Sequence, residues 1–246
     1  MQSKADPLGL KLAGNVKTAG SDANSTKFSK EMLPSVTSLL NMRLSDQAPL
    51  KDGAKVLDPS KIRLKTDSDV RVYFVGESKD FSCSLGFNTD GKSVKSGNPE
   101  LIFPDTSSNG DDSRNASNPI KSGDFVNLGT LKAGDLLNFF LIADGANGGK
   151  NAYSTDRSAN PDGLRHAVAF AQPGSSLLII GFENDYGKGE GKGQSLLFAV
   201  DMGASNVAAL LATPEPTTYA TMGTLLAGTI WFKRRQDRKH SQVAAV

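Results

Sequence analysis

The 246-residue chain has one cysteine, Cys83, one tryptophan, Trp231, and two histidines, His166 and His240. A single thiol excludes an intrachain disulfide framework and, with it, a small extracellular scaffold that depends on bridges. Acyl-transfer chemistry finds no footing either, because no G-x-S-x-G elbow occurs. His166, beside Ala167 and Val168, reads as a hydrogen-bonded structural imidazole. Net charge is only +2, and the apolar fraction of 38% is enough for one sizeable core. No apolar run of a signal peptide comes after Met1-Gln2-Ser3-Lys4-Ala5-Asp6-Pro7. The expectation is therefore that an initiator lies upstream of Met1 or that the sequence starts part-way through, with a cytoplasmic tail-anchored molecule as the alternative.

What the chain does have is concentrated at its far end. Pro214, Glu215 and Pro216 precede a short apolar run from Thr217 to Phe232, followed by Lys233, Arg234, Arg235, Gln236, Asp237, Arg238 and Lys239. As a helix, that run reaches about 24 Å against a hydrocarbon core of roughly 30 Å. Leu225, Leu226, Ile230 and Phe232 favour insertion, five threonines dilute it, and Trp231 sits where an interfacial aromatic belongs. The basic cluster places the C-terminus in the cytoplasm and the bulk of the chain outside. Taking its five cations from the 28 Lys/Arg leaves 23, and taking Asp237 from the 26 acids leaves 25. The body is thus slightly acidic. The pI of about 8.5 belongs to the tail, and no nucleic-acid partner is expected.

The order of a Pro-Glu-Pro tripeptide, an apolar helix and a terminal Arg/Lys cluster resembles the PEP-CTERM sorting signal of exported proteins in bacteria that secrete exopolysaccharide. The resemblance covers about Thr213 to Lys239. It implies processing by a membrane protease-transpeptidase, an exosortase, that releases or re-attaches the protein. The threonines and the seven residues after Lys239 depart from the usual pattern.

Upstream, residues 1–27 are rich in Gly, Ser, Lys and Asn and read as a disordered lead-in. Met32, Val36, Leu39, Leu40 and Leu44 recur at helical spacing and predict a short amphipathic helix with Pro34 in its first turn. Beyond Ile62 the pattern alternates. Val70, Val72 and Phe74 form one stripe, and Phe81, Cys83, Leu85 and Phe87 form another, with Cys83 an inert core thiol. Further strands are predicted at Leu101 to Phe103, Asp135 to Ala143, His166 to Phe170, Leu177 to Phe182 and Ser195 to Val200. Pro104 to Lys121 and Asp144 to Gly163 read as surface loops.

Gly86-Phe87-Asn88-Thr89-Asp90-Gly91-Lys92-Ser93 satisfies G-x-x-x-x-G-K-S, the phosphate-cradling loop. That loop needs a helix opening at its lysine, and Gly97-Asn98-Pro99 leaves no room for one. A hairpin tip is the plainer expectation. Gly187, Gly189, Gly191 and Gly193 lead into a strand and read as a flexible loop.

The stretch from Gly181-Phe182-Glu183 through the glycine-rich loop to Phe198-Ala199-Val200 is similar to the end of an uncharacterised bacterial extracellular domain family. Members carry a G-F-E-D…D-Y-N-D-like motif and often precede PEP-CTERM tails. The fuller likeness runs from about Asp124 to Gly203. It implies an oxygen cage for calcium, here with Glu183, Glu190 and Asp144 as ligands. Asn184, Lys188, Lys192 and Gln194-Ser195 depart from that pattern, and two lysines in the loop oppose a divalent ion.

The expected fold is mainly β: a β-sandwich-like domain with a short N-terminal helix and a single C-terminal membrane-spanning helix. Its divisions are a lead-in at 1–27, a helix and linker at 28–59, the extracellular domain at 60–203, a linker at 204–213, the sorting signal at 214–239 and a tail at 240–246. The expected function is non-enzymatic: an exported surface or matrix protein of structural or adhesive type, passing through the cell membrane to the surface. Its expected partners are an exosortase, the membrane and extracellular polysaccharide. The alternatives are a calcium-dependent carbohydrate-binding module and a nucleotide-binding enzyme acting through residues 86–93.

Overall fold

A computed structural model of the chain describes residues 6–36, 53–77, 82–91, 93–108, 114–187 and 195–212. Two compact units divide the chain, Met1–Leu211 and Ala212–Val246. The second lies outside the described residues apart from Ala212, so the expected spanning helix and the sorting motif lie outside them too. Among the described residues no helix is long and apolar enough to cross a membrane.

The first unit is mainly β, with two sheets. One runs β1 (Lys11–Leu12), β5 (Glu100–Phe103), β4 (Ser84–Asn88), β7 (Asn138–Ile142) and β8 (Ala152–Ser154) in spatial order. The other runs β2 (Lys55–Leu57), β9 (Ala167–Ala171), β10 (Leu177–Phe182), β11 (Leu196–Asp201), β3 (Ser68–Glu77) and β6 (Phe125–Leu131). Among the described residues, β1 and β5 run parallel and the other strand pairs run antiparallel.

Period-two alternation explains why these segments are strands and where their faces go. Leu85, Phe87, Phe103, Phe139 and Leu141 of the first sheet share one buried cluster with Val72, Phe74, Leu178, Ile180, Phe198 and Val200 of the second. Each such Leu, Ile or Phe contributes about 1.5–3 kcal/mol by leaving water. The alternate residues of the second sheet, Tyr73, Val75, Ile179 and Ala199, face the other way and are covered by Phe28 and Val36. Both sheet faces are therefore buried along much of β10 and β11.

Residues 6–27 correct the expected disordered lead-in. Asp22 caps α1 (Ala23–Lys27), accepting from Ser25 N at 2.7 Å, while Ser25 Oγ accepts from Asp22 N. Phe28 stacks on Tyr73 at 3.9 Å, and Arg71 reaches both Asp22 at 3.0 Å and the Phe125 ring at 4.3 Å. Lys17 bridges Phe125, and Ala19 N donates to the fully buried Asp124 carboxylate at 2.9 Å. Arg114 grips the same carboxylate with both Nη atoms, at 2.5 and 2.6 Å. The order of this segment comes from partners some fifty to a hundred residues away, which local composition does not reveal.

The helical segment also begins earlier than its apolar spacing predicts. It opens at Ala23, widens into a π turn over Phe28–Met32 and continues over 33–36. Leu33 N donates to Phe28 O, five residues back, directly before Pro34. Pro34 has no amide hydrogen, and its ring crowds the carbonyl of residue 30, so the turn widens ahead of it. Leu39, Leu40 and Leu44 lie outside the described residues.

Three more boundaries move. The sheets recruit β1 and β2, so the body starts before residue 60. Residues 204–212 are helix α2 (Ala204–Ala212) in place of the expected linker. Asn206 fixes it, accepting from Lys65 N at 2.8 Å and Thr66 N at 2.9 Å and donating to Met202 O at 2.8 Å. The polar loops are also more buried than their composition implies. Thr106 and Asn118 are fully buried, and β8 lies inside the 144–163 stretch.

Candidate functional site

β3 ends at Glu77, β4 begins just after Cys83, and β10 runs into Glu183 opposite the start of β11. One end of the two sheets therefore gathers Glu77, Cys83, Glu183 and Asn184, with Asp162 and His166 alongside. Asn184 Nδ2 lies 3.7 Å from Cys83 Sγ, and Ser195 Oγ donates to Asn184 Oδ1 at 2.7 Å.

His166 is buried and satisfied on both ring nitrogens. Nδ1 meets the Glu183 carbonyl at 3.1 Å, Nε2 meets Asp162 Oδ2 at 2.9 Å, and the ring stacks on Tyr153 at 4.0 Å. Asp162 also accepts from Gly187 N at 2.9 Å and Leu164 N at 3.0 Å. Burial works against its charge, but those two amides and the imidazole outweigh it and pull the carboxyl down to about 2. The cluster thereby pins residues 183–187 to the 160–166 loop.

Glu77 behaves oppositely. Burial, with the Asp105 charge adding to it, pushes its carboxyl up to about 8 despite the Cys83 amide at 3.2 Å. Among the described residues its Oε2 has no hydrogen-bond partner, and neither has Oε2 of Glu183. Burial, and then the neighbouring Glu77, push the Cys83 thiol up to about 12, which leaves no thiolate for nucleophilic work near neutrality.

The residues expected to hold calcium are distributed as follows. Glu183 is buried at this end. Asp144, with φ of 50°, is exposed and turns its carboxylate onto Asn147 Nδ2 at 2.7 Å. Glu190 lies outside the described residues. Calcium takes six to eight oxygens. Among the described residues no group of three or more His, Cys, Asp or Glu is placed to hold a metal.

Packing accounts for the glycines of the phosphate-loop match. A Cβ on Gly86 would collide with the Phe140 ring and approach Glu100 O to 2.6 Å, and one on Gly91 would strike the Ser96 backbone. The loop amides are consumed internally. Gly91 N donates to Asn88 Oδ1 at 2.8 Å, Ser93 N to Ser96 Oγ at 3.0 Å and Lys95 N to Ser93 Oγ at 3.3 Å. Turns, not a helix, connect Ser93 to β5. Lys92 lies outside the described residues, as do Pro214, Glu215, Pro216, the anchor residues Leu225, Leu226, Ile230, Trp231 and Phe232, and the cations Lys233, Arg234, Arg235, Arg238 and Lys239.

Sequence reasoning does not find Glu77, because a single acid closing an apolar strand carries no visible signal. Asp162 and His166 stand at i, i+4, and that spacing is the available hint that they pair. Comparison with protein-family models, curated proteins and solved structures finds no match.

Proposed function

We propose that the protein is an exported bacterial surface or extracellular-matrix protein of structural or adhesive type, whose C-terminal tail is an exosortase-processed sorting signal. The body is then a β-sandwich-like extracellular domain, and residues 217–232 form a single membrane-spanning helix with its cytoplasmic end at the basic cluster. The observation that carries this reading is the order Pro214-Glu215-Pro216, apolar run, five cations. The raised thiol of Cys83 and the engagement of both ring nitrogens of His166 give these two residues a structural role in this reading. Replacing Pro214 and Pro216 by alanine in an exosortase-bearing host tests the reading. Retention of full-length protein in the membrane is expected, whereas undisturbed release from the variant removes the sorting role.

A second reading, a calcium-dependent carbohydrate-binding module, has one observation in its favour: the buried Oε2 of Glu183, which has no partner among the described residues. A melting temperature lowered by chelator supports it, and one unmoved by chelator removes it.

A further inference from the structure

On the outer face of the five-stranded sheet lies a cleft of about 230 Å³ lined by Ser93, Val94, Lys95, Phe140, Lys150 and Asn151, among others. Lys95 and Lys150 come from two different loops, the turn after β4 and the turn before β8. Both are exposed, and neither forms an ion pair with a carboxylate among the described residues. Two exposed lysines lining one cleft, without an ion pair among the described residues, favour an anion. The apolar floor that solvent reaches is formed by Ala152, Ala159 and Pro161, whereas Phe140 and Val94 are buried in the cluster with Leu101 and Ile142.

Size and donors narrow the ligand. Pockets for drug-sized molecules run from roughly 300 to 1,000 Å³, so this cleft has room for about one ring. A phosphate cradle needs converging backbone amides, and those of Gly91, Ser93 and Lys95 are already engaged by Asn88, Ser96 and Ser93. What remains are the ammonium groups and the Asn151 carboxamide above an apolar floor. A pyranose bearing a carboxylate meets that set: the acid pairs with lysine, hydroxyls meet the carboxamide, and the C–H face lies on the floor.

We propose that this cleft binds one carboxylate-bearing sugar residue of an acidic polysaccharide. Choosing a polymer over a free sugar acid rests on the extracellular reading above, whereas the chemistry of the cleft does not. The test is calorimetric titration of the full chain, with its five tail cations changed to glutamine, using trigalacturonate as probe. Maltotriose, inorganic phosphate and ATP serve as comparisons. The expected result is binding of trigalacturonate alone, weakened about tenfold or more by Lys95→Gln with Lys150→Gln and unaffected by Lys27→Gln with Lys30→Gln. Melting curves of both double variants should overlay the parent. Equal binding of maltotriose, tighter binding of phosphate or ATP, or undiminished binding after Lys95 and Lys150 are replaced each overturn the proposal. If trigalacturonate binds but the protein stays in the cytoplasm, the cleft stands and the surface assignment falls. Surface delivery without such binding means the reverse.

Discussion

His166 and Asp162 form a buried pair, Nε2 to Oδ2 at 2.9 Å, in which the aspartate is also held by two backbone amides. The other partner of the ring, the Glu183 carbonyl, is an acceptor as well, so both contacts are hydrogen bonds when both ring nitrogens carry protons.

Breaking this pair is costly because the remaining partner stays buried. His166→Ala is expected to destabilise the fold by about 1–3 kcal/mol in urea denaturation, the cost of leaving buried hydrogen-bonding partners without their mate, with Asp162 still held by the Leu164 and Gly187 amides. Asp162 sits at about 2 in the folded protein against an ordinary value of 3.8. Its contribution is therefore complete above about 4 and lost as pH falls through about 2. Melting temperatures between pH 5 and 2 should show an acid limb that Asp162→Asn makes shallower.

Glu77 has the opposite sign. Its carboxyl is raised from 4.5 to about 8, so the folded state favours the protonated form. The associated stability is complete below about 4.5 and declines as pH climbs through about 8. Glu77→Gln, which keeps the shape without the charge, should flatten the melting profile between pH 5 and 9. An unchanged slope would show that Glu77 ionises freely in the fold.

Gly86 is a packing residue. With a Cβ directed into Phe140 and the Glu100 carbonyl, Gly86→Ala is expected to cost about 1–3 kcal/mol by overpacking, read as a lower denaturation midpoint. Nucleotide should raise the melting temperature of neither protein.

Asn206 ties α2 to the loop ahead of β3. Asn206→Leu keeps the volume but removes the acceptor of the Lys65 and Thr66 amides, at a cost of about 0.5–1.5 kcal/mol for each hydrogen bond lost, since both residues are exposed to water. Hydrogen exchange at those two amides should rise more than in the strands.

How far each element can be read from sequence depends on its physics. β4, β10 and β11 are readable because their apolar residues alternate or run without interruption. β6 is not: only Phe125 and Val126 are fully buried, and Gly129, at φ 78°, lies beside a register shift against β3. β1 and β2 are two and three residues long, too short for any period to show. α1 reads Ala-Asn-Ser-Thr-Lys, a sequence of low helix propensity held by the Asp22 cap and by the stacking of Phe28 on Tyr73. At the candidate site, Glu183 can be found from its motif. Glu77 cannot, because its surroundings are assembled from strands distant in sequence. Lys95 and Lys150 are likewise invisible as a pair, since only the fold brings their two turns to one cleft.

The central claim concerns the tail, and the most direct measurement is the intact mass of the protein recovered outside cells of a host that carries an exosortase. The account predicts a species shortened near Pro214, lacking the apolar run and the basic cluster, and no such species when the exosortase is deleted. A full-length chain found only inside the cell, unchanged by the deletion, would contradict it.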